Sequence, residues 1–144
     1  MQLEKTDEML CIPGNEKTYA LPLACVAEIC SDIHITRIPC LPEPYVGVYN
    51  HKGTILPVLR MGEKRTEEEK RQVAVLIRWG KYLFGVLTEQ EPYLLSLEDT
   101  ETVEYPEGAL SESVWKEKGG LLRDGRLYAV LDVEKTAEAC VVCP

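Results

Sequence analysis

Residues 38–61 (Ile-Pro-Cys-Leu-Pro-Glu-Pro-Tyr-Val-Gly-Val-Tyr-Asn-His-Lys-Gly-Thr-Ile-Leu-Pro-Val-Leu-Arg-Met) constrain the fold more than any other stretch of the chain. Pro39, Pro42 and Pro44 stiffen the approach to a short strand at 46–50. Asn50 and Gly53, residue types that accept φ > 0, then form a tight hairpin into a second strand at 54–59. Pro57 cannot donate a ladder hydrogen bond, which predicts that this second strand lies at a sheet edge or beside a bulge. A hairpin of this kind belongs to a small, curved, all-β unit.

The same pattern occurs again. Gly53-Thr54-Ile55-Leu56-Pro57-Val58-Leu59-Arg60-Met61 returns in altered form as Gly125-Arg126-Leu127-Tyr128-Ala129-Val130-Leu131-Asp132-Val133, with the glycine and Val-Leu in register. The spacing of 72 residues is half of the 144-residue chain, so the repeat describes two related β units and not a solenoid of short repeats. A weaker echo pairs Tyr19-Ala20-Leu21-Pro22-Leu23 with Tyr82-Leu83-Phe84-Gly85-Val86. Two packed barrel-like halves are the expected architecture, monomeric in isolation.

Further strands are predicted at 18–23, 73–79, 82–87, 120–122 and 126–131, where short apolar and aromatic runs are bounded by Gly, Pro, Asn or charge clusters. Gly80-Lys81 joins two of them as a two-residue hairpin connection. Helix is scarce: one short turn is expected at 24–30 and another at 110–116. A short terminal helix is expected to be capped by Asp132 and to end near Ala139. The run 62–71 has no apolar period and reads as a solvated connector between the halves.

A formal net charge of −8 argues against a nucleic-acid backbone or an anionic membrane surface as the main partner, since both require a concentrated basic face. No apolar run reaches the length of a membrane span, and the start of the chain lacks the basic and apolar segments of a signal peptide, so a cytoplasmic location is expected. Cys11, Cys25, Cys30 and Cys40 sit among apolar residues and read as reduced structural thiols. Cys140 and Cys143 form a C-x-x-C without a second pair to complete a zinc site, and no metal or cofactor is expected. The two histidines, His34 and His51, stand in no catalytic or metal-binding pattern. The acidic run at Glu98-Asp99-Thr100-Glu101 reads as a solvated face, and no phosphate loop or nucleophile elbow is present. The chain is not expected to be an enzyme.

Tyr19-Ala20-Leu21-Pro22-Leu23 followed by Val26-Ala27-Glu28-Ile29, Ile35-Thr36-Arg37-Ile38-Pro39, Pro44-Tyr45-Val46-Gly47-Val48, Asn50-x-x-Gly53 and Leu56-Pro57-Val58 resembles the CheW-like family of chemotaxis coupling proteins. Gly80-x-x-x-x-Gly85-Val86-Leu87 and Gly125-Arg126-Leu127 with Leu131-Asp132 are similar to the second half of that family's pattern, extending the resemblance over about residues 9 to 137. The resemblance implies a single domain over 1–144 made of two packed five-stranded SH3-like β-barrel subdomains with short helical turns. They would lie roughly either side of the connector 62–71, with strand exchange between them allowed.

It also implies a non-catalytic adaptor joining the cytoplasmic tip of chemoreceptors, a helical hairpin, to the regulatory domain of the histidine kinase CheA in signalling arrays. The groove positions carried over are Leu23, Glu28, Lys52, Val73 and Phe84. The three apolar ones would receive a helix's apolar stripe, and the two charged ones would give complementarity at the rim. Taken one at a time, Leu23, Val73 and Phe84 read first as core, Asn50 and Gly53 as turn formers, and Trp79 and Trp115 as packing anchors. Lys52 stands where the family usually has arginine, which forks where lysine does not. Arg60 and Thr88 stand where aspartates are common. Two other readings remain: a CheW-like interaction module of a non-chemotaxis two-component pathway, and, remotely, a small all-β enzyme or ligand-binding barrel.

Overall fold

The computed structural model describes residues 8–14, 17–31, 33–61, 73–88, 90–98, 100–104 and 113–142. Two six-stranded sheets carry the fold. The first contains β1 (Glu8–Pro13) and β2 (Thr18–Pro22). The second contains β3 (Val26–Ser31), β4 (Thr36–Arg37), β5 (Tyr45–His51), β6 (Thr54–Arg60), β7 (Val73–Trp79) and β8 (Tyr82–Thr88). The first sheet is then completed by β9 (Tyr93–Ser96), β10 (Glu101–Val103), β11 (Glu117–Arg123) and β12 (Arg126–Leu131). A terminal helix α1 (Val133–Ala137) follows and widens into a looser turn over Glu138–Val142. The connector 62–71 lies outside the described residues, and the strands on its two sides, β6 and β7, belong to the same sheet.

The two sheets share one plan. Their strand orders are β10-β11-β12-β2-β1-β9 and β4-β5-β6-β8-β7-β3. Each has an edge strand, a hairpin, a parallel junction (β12–β2 or β6–β8), a second hairpin and a second edge strand. The repeat in the sequence is therefore a structural repeat, and its glycines do the same job twice. Lys52 and Gly53 turn with φ of 52° and 92°, Asp124 and Gly125 with φ of 53° and 78°. Two consecutive positive φ values make the primed turn whose twist matches the flanking strands. The resemblance implied five strands per barrel, and each sheet here carries six.

Burial follows strand parity. On β1, β7 and β8, Leu10 and Ile12, Val75 and Ile77, and Phe84 and Val86 point into one cluster shared by both sheets and by α1. The alternate residues point the other way. Met9, Cys11, Ala20, Leu95, Leu121 and Tyr128 fill a core inside the first sheet. Leu56, Val58, Ala74, Leu76, Leu83 and Leu87 fill one inside the second. Side chains from strands far apart in the order, β9 and β11 for instance, meet in one inner core, so each sheet curls around its own contents. Strands buried on both faces have no polar side, which is why β1 reads as the continuous apolar run Met9–Ile12 without alternation.

Two expectations need correction. Residues 24–30 do not form a helical turn: only Leu23–Cys25 winds, as 3₁₀, and β3 then pairs with β7 from Val26 to Ser31. A register shift between Val26 and Glu28 puts a bulge there, so apolar Val26 and Ile29 recur at a helix-like spacing within a strand. Of 110–116, residues 113–116 are bends and coil, the Trp115 N–H donating to Ser113 Oγ at 3.0 Å, and the rest lie outside the described residues. Of the two settings expected for Pro57, an edge or a bulge, the structure has the bulge, since β6 itself is internal. The proline is tolerated because the β8 ladder begins only at Val58, leaving Pro57 paired on one side, to Val48. A shift in β5 between Tyr45 and Gly47 supplies a bulge nearby.

The terminal helix forms as expected. Asp132 Oδ1 accepts from the Lys135 N–H at 3.1 Å, a side-chain cap on an otherwise orphaned donor. The Asp132 N–H donates to the Lys116 carbonyl at 2.8 Å, and the Lys116 N–H to Thr136 Oγ1 at 3.0 Å. Helix and approach to β11 are thereby knotted together. Thr88 has a related role: its hydroxyl lies 3.2 Å from the Pro13 carbonyl and 3.1 Å from that of Gln90, tying β8 to the end of β1. With the residue only 2% exposed, that bond satisfies a buried hydroxyl in the space between the sheets.

Candidate functional site

The β5–β6 turn sets the site's geometry. Asn50 Oδ1 accepts from the Gly53 N–H at 2.8 Å, closing the turn with a side chain and fixing what its middle residues present. One of those, His51, reaches across the barrel to β3, with Nε2 3.5 Å from Glu28 Oε1. Its ring also leans on Tyr49, with centroids 6.0 Å apart. The other, Lys52, is exposed.

Cys30, two residues beyond Glu28, feels the same cluster. Burial pushes its thiol up, a hydrogen bond and the charge of Glu28 push it further, and the charge of Lys52 pulls it back. Glu28 and Lys52 thus share a rim of mixed charge, with His51 between β3 and the turn.

The apolar candidates divide. Leu23 is exposed at 36% on the 3₁₀ turn, and Val73 is half-buried on β7 opposite Ser31. Glu28 pairs with Leu76, which points into the second sheet's inner core, whereas Val73 shares the parity of Val75 and Ile77, which point between the sheets. Glu28 and Val73 therefore sit on opposite faces of the β3–β7 pair, meeting only around the free edge of β3. Phe84 follows its core reading and not that of a groove floor: it is 0% exposed and inside the shared cluster.

Ile29 is an exposed apolar residue on the same β3–β7 pair. Paired with Val75 and 46% exposed, it continues the shared apolar face past the edge of the sheet-to-sheet contact, beside Val73. The reading of 24–30 as helix hid it. A strand assignment with the bulge would have placed Ile29 outward on the Val73 side.

Among the described residues no group of His, Cys, Asp and Glu is placed to hold a metal ion. Cys11, Cys25, Cys30, Cys40 and Cys140 are unpaired thiols, and Cys143 lies outside the described residues. Burial pushes Cys11 up to about 12, against a small opposing pull from Arg126, and burial likewise pushes Cys140 up to about 12. An unfolded thiol ionises near 9.0. The folded chain therefore keeps these protons where the unfolded chain gives them up. The stability they contribute is fully present below pH 9 and lost as pH rises from 9 through 12. Urea titrations across that window should show a shallower fall in stability for Cys11→Ala than for the unaltered chain. Parallel slopes would mean that the Cys11 thiol ionises in place.

The CheW-like domain family matches residues 8–140. Among curated proteins, the chain is 26% identical over 139 residues to "Chemotaxis protein CheW" of Helicobacter pylori, covering 92% of this chain and 84% of that protein. It is also 26% identical over 151 residues to the protein of that name from Bacillus subtilis, covering 96% and 95%. Among solved structures, the scaffolding protein TtCheW from Thermoanaerobacter tengcongensis superposes with a TM-score of 0.67 at 18% identity, over 88% of each chain, a likeness of fold.

Proposed function

Since the chain belongs to the CheW-like domain family, we propose that it acts without catalysis as a chemotaxis scaffold, coupling a chemoreceptor's cytoplasmic helical hairpin to the regulatory domain of CheA. The observation that carries this reading is the free edge of β3. There exposed Leu23 and Ile29 and half-buried Val73 lie beside a rim on which Glu28 and Lys52 carry opposite charges. An amphipathic helix needs that combination: apolar surface for its stripe and charges of both signs to set its register. No helix among the described residues is long and apolar enough to cross a membrane.

Lys52→Glu tests the rim. Lys52 is exposed in a turn whose geometry is set by Asn50 and Gly53, so the fold should survive the exchange. Titration of a receptor-tip fragment should show affinity reduced by about 1 kcal/mol, shrinking as salt screens the charge. Ile29→Ser should weaken binding with little dependence on salt. Wild-type affinity in both variants, with unchanged melting, would remove the β3 edge from the receptor contact.

A further inference from the structure

His51 stands behind the docking rim. The hydrogen bond from the Gly53 N–H to Asn50 Oδ1 holds the β5–β6 turn, and the turn delivers the imidazole to β3: its side chain is 15% exposed, that of Glu28, the carboxylate it meets, 46%. Tyr49, two residues earlier on β5, braces the ring at a tilt of 37°. Among the described residues, the titratable and charged groups around the imidazole are Glu28 and Cys30 on β3, the second hydrogen-bonded to the first, and Tyr49 and Lys52 on its own hairpin. His34, the other histidine of the chain, is exposed on the link from β3 to β4.

The separation decides what the contact can do. Nε2 and Oε1 lie 3.5 Å apart, beyond the roughly 2.7–3.2 Å of a good N–H···O hydrogen bond, so an uncharged imidazole gains little there. Protonation turns the contact into an ion pair, whose attraction does not depend on hydrogen-bond length.

Glu28 thus has two takers, the histidine behind it and a docked helix in front. We propose that His51 is a positioning residue whose protonation sets how much of the Glu28 charge reaches the partner. Neutral, it leaves the carboxylate to the rim. Charged, it holds the carboxylate against the turn and cancels it, so that Lys52 alone speaks for the rim. The inference rests on the receptor reading of the β3 edge and adds a regulation to it: a helix with a cation opposite Glu28 docks best where the imidazole is neutral, and loses that contact on acidification.

The test uses the full chain between about pH 8 and 5.5, a range in which histidines titrate and carboxylates largely do not. The first readout needs no partner. The Glu28 side-chain carboxyl carbon, assigned by its loss in Glu28→Gln, should shift in step with the His51 imidazole in NMR spectra; the step should persist in His34→Gln and vanish in His51→Gln. The second readout is titration of a receptor-tip fragment. Its affinity should fall about threefold across the range, the scale of one exposed ion pair, and the fall should be absent in His51→Gln and in Glu28→Gln. Melting curves at each pH show that the variants are folded. A carboxyl carbon indifferent to His51 would overturn the contact itself, whatever the fragment does. An affinity that stays constant or rises on acidification, or one that falls equally in His51→Gln, would overturn its role in docking. A fragment that binds at no pH, with the carbon step intact, would sink the receptor reading and leave the hold of His51 on Glu28 standing.

Discussion

Phe84→Ala should remove ~3 to 5 kcal/mol of folding stability, the range for truncating a fully buried aromatic side chain. Phe84 is 0% exposed and sits where β8 faces the other sheet, among Leu10, Ile12, Val75, Ile77 and Leu131. The resulting cavity would open on the surface that joins the two sheets, and neither sheet could close it without shifting against the other. Domains of this size have only about 5 to 15 kcal/mol in total, so the variant should melt far below the unaltered chain and approach unfolding at physiological temperature. Urea denaturation measures the loss directly. Phe84→Leu, which keeps most of the volume, should cost much less. A small loss for Phe84→Ala, together with weakened receptor binding, would return Phe84 to the docking surface.

Gly47→Ala should cost about 1 to 3 kcal/mol, the usual range for overpacking, and should detach β4 from β5. A methyl group at Gly47 would collide with the Thr36 carbonyl oxygen and come within 2.9 Å of Arg37 Cα, both of them backbone atoms that cannot rotate aside. Only separation of the two strands relieves it. Gly85→Ala, in the same sheet, is the natural comparison, since its new methyl would meet the tip of the Leu76 side chain at 3.2 Å, a group able to give way. Hydrogen exchange should show the amides that pair Thr36 with Val48 and Arg37 with Gly47 losing protection in Gly47→Ala and keeping it in Gly85→Ala. If both variants kept that protection, the close approach of β4 to β5 would not be a requirement of the fold.

What the sequence made legible was the local chemistry that repeats. The Gly53 and Gly125 turns could be found because a primed turn needs residues that accept positive φ, and few types do. The weaker echo named the right strands, β2 and β8, with the wrong alignment. The parallel junctions set Val58 opposite Gly85 and Val130 opposite Ala20, so Ala20 answers to Gly85 and not to Leu83. Parallel pairing between strands distant in the chain leaves no turn residue to fix the register, and Tyr19 and Tyr82 offer a false one. Strand β1 escaped notice because burial on both faces erases alternation, and β3 because a bulge shifts its phase.

Of the residues proposed for docking, the surface position of four could be read in the sequence, and their role stays a proposal. Glu28 and Lys52 do feel a common neighbour in Cys30, and Leu23 and Val73 do present surface. A resemblance transfers positions, however, and whether an apolar position faces a partner or the interior depends on where the two sheets stop covering one another. That boundary leaves Ile29 outside and Phe84 within.

Among the described residues, β3 to β8 all fall within 26–88, while the first sheet takes β1 and β2 from before that stretch and β9 to β12 from after it. During synthesis the second sheet has all of its strands once Thr88 has left the ribosome. Strand β2 must then wait for β12, a partner that ends only at Leu131. Residues 26–88 are therefore able to close first, and the strands that flank them on either side are joined to one another only afterwards, as a clasp shuts around what it already holds.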